Sequence, residues 1–300
     1  MMTVELKNVS KSFGPVKAVD DVSFSVQKGE FFGLLGPNGA GKTTSIRILL
    51  DIFKPDRGSV AILGGPMTEE KKDLIGYMPE ERGLYQDIPL DRALTYLSSL
   101  KGLSNAEVQQ RLEGYLEQFD LAEHRKKKVK ELSKGMQQKA QIISTILHRP
   151  ELIIIDEPFS GLDPVNTQMV KDLLRELHRQ GATIIMSTHA MHQVEELCER
   201  ILLMNFGRTM LYGPLNEIRR QFSGHALLVR APGGLPTLDG ILSVEPVNGA
   251  QRLNLAPETL PQDVLRTLVA QNVPVDQFEV AVPTLDEIFI RVVRDQEPAR

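Results

Sequence analysis

The sequence predicts an α/β fold with a mostly parallel sheet, an antiparallel β edge, an inserted helical subdomain and a small α+β C-terminal domain. Three observations carry that expectation. Short continuous apolar runs, Phe31 to Leu35, Ile75 to Met78, Leu152 to Ile155 and Thr183 to Met186, read as buried strands, and segments of helical periodicity lie between them. Such alternation implies crossover units whose helices cover both faces of a parallel sheet. From about residue 89 to 149, helices follow one another without strands. Beyond residue 217 the composition changes: Lys171 is the last lysine, and 8 of the 18 prolines follow.

Each element has its own justification. Alternation at Val4 and Leu6, and again at Val22, Phe24 and Val26, gives the half-buried strands of the antiparallel edge. Phe31 to Leu35 runs into a glycine-rich turn at Gly36, and Ile46, Leu49 and Leu50 then share one helical face. Within the inserted subdomain, Ser104 with Glu107 three residues on forms a capping box. Asp163 serves as a helix N-cap, Pro164 occupies the first helical position and Gly181 follows the end, and between them Val165, Met169, Val170, Leu173, Leu174 and Leu177 keep a 3–4 spacing. The last domain is expected to hold strands at Ala226 to Arg230, Ile241 to Val244, Leu253 to Leu255 and Phe278 to Val282, and helices at Gln262 to Gln271 and Leu285 to Val293. The boundary is placed near Ile218, giving domains 1–217 and 218–300.

Composition narrows the partners. Thirty-five basic against 39 acidic side chains give a net charge of −4, which supplies no global attraction to phosphate backbones, so nucleic acid is not expected. The single cysteine, Cys198, cannot form an internal disulfide, and Met1 to Gly14 carries charges where a signal peptide needs an apolar stretch. A reducing cytoplasm is therefore expected. No run approaches the roughly 20 apolar residues of a spanning helix, so any membrane attachment is expected through another component.

Gly36-Pro37-Asn38-Gly39-Ala40-Gly41-Lys42-Thr43, followed by Thr44, fits the phosphate-loop pattern between a predicted strand and a predicted helix. The glycines let successive N–H groups turn inward around phosphates, and the helix N-terminus adds its positive end. Lys42 is expected on the β- and γ-phosphates of ATP and the Thr43 hydroxyl on Mg²⁺. This makes the first domain a P-loop NTPase core. Its acidic partner is Asp156-Glu157 at the carboxyl end of a buried strand, where such sheets bind ligands. Asp156 is expected to hold Mg²⁺ and Glu157 to polarise the attacking water.

At this point the chain resembles the ATP-binding subunits of ATP-binding cassette (ABC) transporters, over about residues 3–215. Leu132-Ser133-Lys134-Gly135-Met136 resembles that family's signature motif, Ser160-Gly161-Leu162-Asp163 its D-loop, His189 in Ser187-Thr188-His189 its switch histidine, and Phe13 its adenine-stacking aromatic. Two motifs depart from the usual pattern. Glu80, in Pro79-Glu80-Glu81-Arg82, replaces the usual glutamine, and a carboxylate there can still approach Mg²⁺. In the signature, Lys134 replaces a glycine and Met136 a glutamine, and Lys134 either reinforces a γ-phosphate contact or points to solvent. Both departures, with Gly83-Leu84-Tyr85, resemble the branch of sodium-exporter and drug-exporter ATPases, and Pro283 to Phe289 resembles the end of that branch's small accessory domain.

The resemblance implies a head-to-tail pair of ATPase subunits, each ATP held between one phosphate loop and the partner's Ser133 and Gly135. It implies a transmembrane permease on a separate chain and a peripheral place on the cytoplasmic face of the membrane. A soluble ABC ATPase acting on a ribosome, DNA or a protein assembly is the alternative. The C-terminal domain is read as an accessory domain with a regulatory or dimer-stabilising role. Arg125 to Lys128 with Lys130 reads as a solvated face or as a contact for headgroups or a membrane partner. Cys198 is expected to be a small buried hydrophobe, and His124, His148, His178, His192 and His225 are assigned surface or capping roles.

Overall fold

The computed structural model describes residues 2–81, 83–223, 226–247 and 249–296; Arg82 and His225 lie outside them. The chain divides into two compact units, Met1–Gly213 and Pro214–Arg300. The division falls ahead of the expected Ile218 because Pro214 stands as N-cap of a helix whose buried Leu215 and Ile218 belong to the second unit.

In chain order the first unit holds β1 (Met2–Phe13), β2 (Val16–Gln27), β3 (Phe31–Leu35), α1 (Lys42–Leu49), β4 (Arg57–Ile62), α2 (Glu69–Asp73), β5 (Ile75–Met78), α3 (Leu90–Ser99), α4 (Asn105–Gln118), α5 (Lys134–Ile146), β6 (Leu152–Asp156), α6 (Pro164–Arg179), β7 (Thr183–Thr188), α7 (Met191–Leu197), β8 (Arg200–Asn205) and β9 (Arg208–Pro214). Six strands form one sheet in the order β5-β6-β7-β3-β8-β9. β5 pairs parallel with β6, β6 with β7, β7 with β3, and β3 with β8. Their carboxyl ends therefore share one edge. β3 and β6 are buried at every position, the signature of a strand covered on both faces.

The antiparallel strands are not an edge of that sheet but a separate three-stranded one, ordered β2-β1-β4. The physical reason is burial. Val4, Leu6, Val9, Val19, Val22, Phe24 and Val26 turn inward and join Phe32, Leu34, Ile46, Leu49 and Ile154 in one core. Phe24 stacks on Phe32 with ring centroids 5.4 Å apart. At about 1.5–3 kcal/mol for each large apolar side chain buried, this layer is what holds β3 and α1 rigid under the glycine-rich turn.

The inserted subdomain is built from α3, α4 and α5. Ser104 and Glu107 form the expected reciprocal capping box at α4. The basic run is partly committed to structure: Lys126 pairs with Asp91 at 2.6 Å and Lys130 with Asp87 at 2.6 Å, fastening the run to the start of α3.

The second unit holds α8 (Leu215–Phe222), β10 (Ala226–Arg230), β11 (Ile241–Val247), β12 (Ala250–Leu255), α9 (Pro261–Ala270), β13 (Gln277–Val280) and α10 (Leu285–Gln296). Its antiparallel sheet runs β11-β12-β10-β13. Leu227, Val229, Leu253 and Leu255 form its core with Val264 and Leu268 of α9. β11 continues past the expected Val244 through Pro246, which an edge strand tolerates because one side of it needs no N–H donor.

Candidate active site

The glycine-rich turn joins β3 to α1. Gly41 is the N-cap of α1 with φ 104° and ψ 1°, and a Cβ on it would stand 2.4 Å from the Ala18 carbonyl oxygen. A Cβ on Gly36 would meet the Met204 carbonyl at 2.3 Å. Both glycines are thus forced by close backbone approach. Lys42 is buried and donates to the carbonyls of Gly36 at 2.7 Å and Pro37 at 3.2 Å, closing the loop upon itself. Burial lowers its ammonium pKa below the usual lysine range, and Glu157, Asp156 and Glu80 oppose that shift.

Asp156 ends β6, two strands from β3, with β7 between them. Its carboxylate accepts from the Thr43 hydroxyl at 2.7 Å and from the Ser187 hydroxyl of β7. Glu157 follows with φ 53°, a left-handed turn that swings its side chain away from the Asp156 direction and onto the end of β7. There it accepts from the His189 backbone N–H at 3.0 Å, the His189 Nδ1 at 2.7 Å and the Thr188 hydroxyl at 3.0 Å. Adjacent carboxylates thus acquire different partners. Thr43 and Asp156 present hard oxygen donors side by side, a set that suits Mg²⁺ held with water and phosphate oxygens.

A cavity of about 470 Å³ joins these groups, lined by Val16, Lys17, Ala18, Asn38, Gly39, Ala40, Gly41, Lys42, Thr43, Thr44, Glu80, Asp156, Glu157 and Phe206. Glu80 therefore reaches the site despite replacing a neutral residue. Gly36 and Pro37 stand behind the cavity as acceptors for Lys42. Phe13 is not on its wall; the ring packs edge-on against Phe53 at 5.3 Å and remains 44% exposed.

Ser133, Lys134, Gly135 and Asp163 also lie off this cavity. Ser133 caps α5, accepting from the Met136 N–H at 3.2 Å, and Asp163 caps α6, accepting from the Asn166 N–H at 2.9 Å. That backbone donor, first among several hydrogen bonds, holds the Asp163 carboxyl below its ordinary pKa. A Cβ on Gly135 would stand 3.5 Å from the Gly161 carbonyl, so signature and D-loop are neighbours within the protomer. Ser133 and Lys134 are exposed.

Several functional residues were not legible from pattern. Gln138 donates to the carbonyls of Glu157 and Pro158 at 3.3 and 3.1 Å, and Gln141 to those of Pro79 and Glu81 at 2.8 and 3.1 Å. Two buried amides of α5 thus tie the loops after β5 and β6 to the helical subdomain. His148 is half-buried: its Nε2 lies 3.2 Å from the Ile75 carbonyl, and burial, then Lys101, pushes its pKa down to about 4. Cys198 is buried as expected, its thiol pushed up by burial, 3.2 Å from where a Cβ on Gly33 would sit. Among the described residues no helix is long and apolar enough to cross a membrane.

Known proteins match this chain in both units. The family described as "ABC transporter" matches residues 19–160, and that described as "ATP-binding protein DrrA1-3-like, C-terminal domain" matches 213–293. An uncharacterized ABC transporter ATP-binding protein, YhaQ of Bacillus subtilis (strain 168), is 40% identical over 98% of each chain. The linearmycin resistance ATP-binding protein LnrL of the same organism is 30% identical over 97% of this chain and 100% of its own length. The Nod factor export ATP-binding protein I of Rhizobium sp. (strain N33) is 31% identical over 97% of each. A solved ATP-binding subunit of an ABC transporter, 35% identical, superposes with a TM-score of 0.69 over 73% of this chain and 93% of that one.

Proposed function

The chain belongs to the ATP-binding subunits of ABC transporters, which hydrolyse ATP to drive transport, and from that premise we propose that it energises export through a permease on a separate chain. The single observation that carries the site assignment is the Thr43 hydroxyl bonded to Asp156 beneath the glycine loop, with Lys42 and Glu157 in the same cavity. In this reading the loop N–H groups and Lys42 bind the triphosphate, and Thr43 and Asp156, with Glu80 nearby, would hold Mg²⁺. When bound there, the ion would supply positive charge to offset that of the phosphates. Glu157 orients and deprotonates water, and His189, anchored to it through Nδ1, keeps its other ring nitrogen for the γ-phosphate.

The exposed Ser133 and Lys134, with Gly135, make no wall of their own protomer's cavity, which supports a head-to-tail pair in which they close the partner's ATP. The two units, residues 1–213 and 214–300, then divide hydrolysis from an accessory role in regulating or stabilising that pair. Export and peripheral placement on the cytoplasmic face draw on relatives such as the Nod factor export ATP-binding protein. The test is affinity isolation of the full chain from native membranes with ATP and Mg²⁺. A multi-span membrane protein should accompany it at one complex per two ATPase chains. Recovery with ribosomes or DNA, and none with membranes, would refute the export reading.

A further inference from the structure

Phe206 stands where a phenylalanine is least at ease. β8 ends at Asn205 and β9 begins at Arg208, so Phe206 and Gly207 are the whole connection. Both have positive φ, 46° and 75°, the pattern of a primed two-residue hairpin turn. Asn, Asp and Gly adopt that conformation readily, and a bulky side chain does so under strain. Burial does not offset the strain. At 81% the Phe206 ring is the most exposed large hydrophobic among the described residues.

Its position is fixed, not incidental. β8 runs parallel to β3, which brings the turn to the same sheet edge as the glycine loop. The Gly207 N–H donates to the Ala40 carbonyl at 3.0 Å, and the Asp20 N–H donates to the Gly207 carbonyl at 2.8 Å. The turn is thereby pinned between the phosphate loop and β2, and Phe206 lines the cavity together with Val16, Lys17 and Ala18. Val16 and Ala18 are apolar and Lys17 offers an aliphatic stem, while Phe13 is not among the residues that line the cavity.

We propose that Phe206 is a base-contacting residue that gives the purine of the bound nucleotide an aromatic face beside Val16. The inference rests on reading the cavity as the ATP site, and adds to that reading a residue that sets affinity for the base as distinct from the phosphates. A strained, exposed aromatic held against a ligand cavity fits the general tendency of local conformational rules to be broken at functional positions.

The test uses the full chain with Mg²⁺ and two probes, ATP and inorganic tripolyphosphate, the second lacking a base. Phe206→Asn places in the turn a residue that its backbone prefers, so the variant should melt no lower than the wild type. Its ATP affinity should fall about 5- to 150-fold, the range of one aromatic–base stack, while tripolyphosphate affinity stays within about twofold. Phe206→Tyr should retain ATP affinity. An unchanged ATP affinity in Phe206→Asn, or an equal loss for both probes, would overturn the proposal while leaving the ATP site standing. A wild-type chain that binds neither probe would overturn the site reading and this inference with it.

Discussion

Replacing Glu157 by Gln separates the grip on ATP from its hydrolysis. The carboxylate accepts three hydrogen bonds, two from His189 and one from Thr188. An amide is isosteric: its oxygen keeps both His189 bonds, and its N–H₂ turns toward the Thr188 hydroxyl, which can accept. What is lost is the charge on those bonds, about 1 kcal/mol for each, so the fold survives and the His189 loop loosens slightly. Of the phosphate-binding groups only His189 bonds to this side chain, and it keeps both bonds to the amide oxygen, while Lys42 and Thr43 bond to other atoms. Turnover is different. A general base contributes about 10²–10⁴ in rate, equivalent to about 3–5 kcal/mol of barrier at 1.36 kcal/mol per decade. Phosphate release should therefore fall by at least about a hundredfold, with ATP affinity within about threefold of wild type on the same reasoning. Size-exclusion chromatography with ATP should show a longer-lived dimer, since the closed pair no longer hydrolyses its glue. A kcat within about threefold of wild type would remove Glu157 as the base and return its hydrogen bonds to a purely structural role.

Lys42→Ala deletes the charge that closes the loop, and calorimetry should find ATP bound about 10- to 150-fold more weakly, the worth of one charged hydrogen bond; undiminished affinity would contradict the phosphate-loop assignment. Gly41→Ala meets both a left-handed backbone and the Ala18 carbonyl at 2.4 Å, so urea unfolding should show a loss of about 2 kcal/mol or more, and no loss would mean that the turn relaxes freely. His148 titrates at about 4 in the fold against 6.5 ordinarily. Its folded pKa is the lower one, so the unfolded chain takes up the proton first, and stability present above pH 6.5 is lost as pH falls toward 4. Linkage over that window gives about 2 kcal/mol lost between pH 8 and pH 5. His148→Gln should remove about that much of the pH dependence in urea unfolding, and an identical slope in both proteins would show that His148 is not buried in its neutral form.

The core strands and the glycine loop were legible because they depend on local pattern. Phe31 to Leu35, five apolar-type residues stopped by the glycine-rich turn, read as a strand buried on both faces, and the Asp163-Pro164 pair opened α6 where capping chemistry requires. β8 was harder to read, because Arg200 to Asn205 is a short apolar run that a buried helix turn could equally supply. The roles of Gln138 and Gln141 left no signal at all. A buried glutamine and a solvated one look alike in sequence, and only the approach of α5 to the loops after β5 and β6 gives these two carbonyls to bond.

The sequence by itself determined the chemistry of the site: an anion-cradling loop, a lysine, a hydroxyl and two carboxylates in an order that permits ATP binding and hydrolysis. These properties belong to residue types and spacings along one chain. Tertiary structure alone decided which carboxylate faces Thr43 and which faces His189, that Phe13 packs on Phe53 away from the cavity, and that Phe206 lines it. The reason is that such assignments depend on strand order. β7 lies between β3 and β6, and β8 beside β3, so residues far apart in sequence share one sheet edge, and the left-handed turns at Glu157 and Phe206 set where each side chain goes.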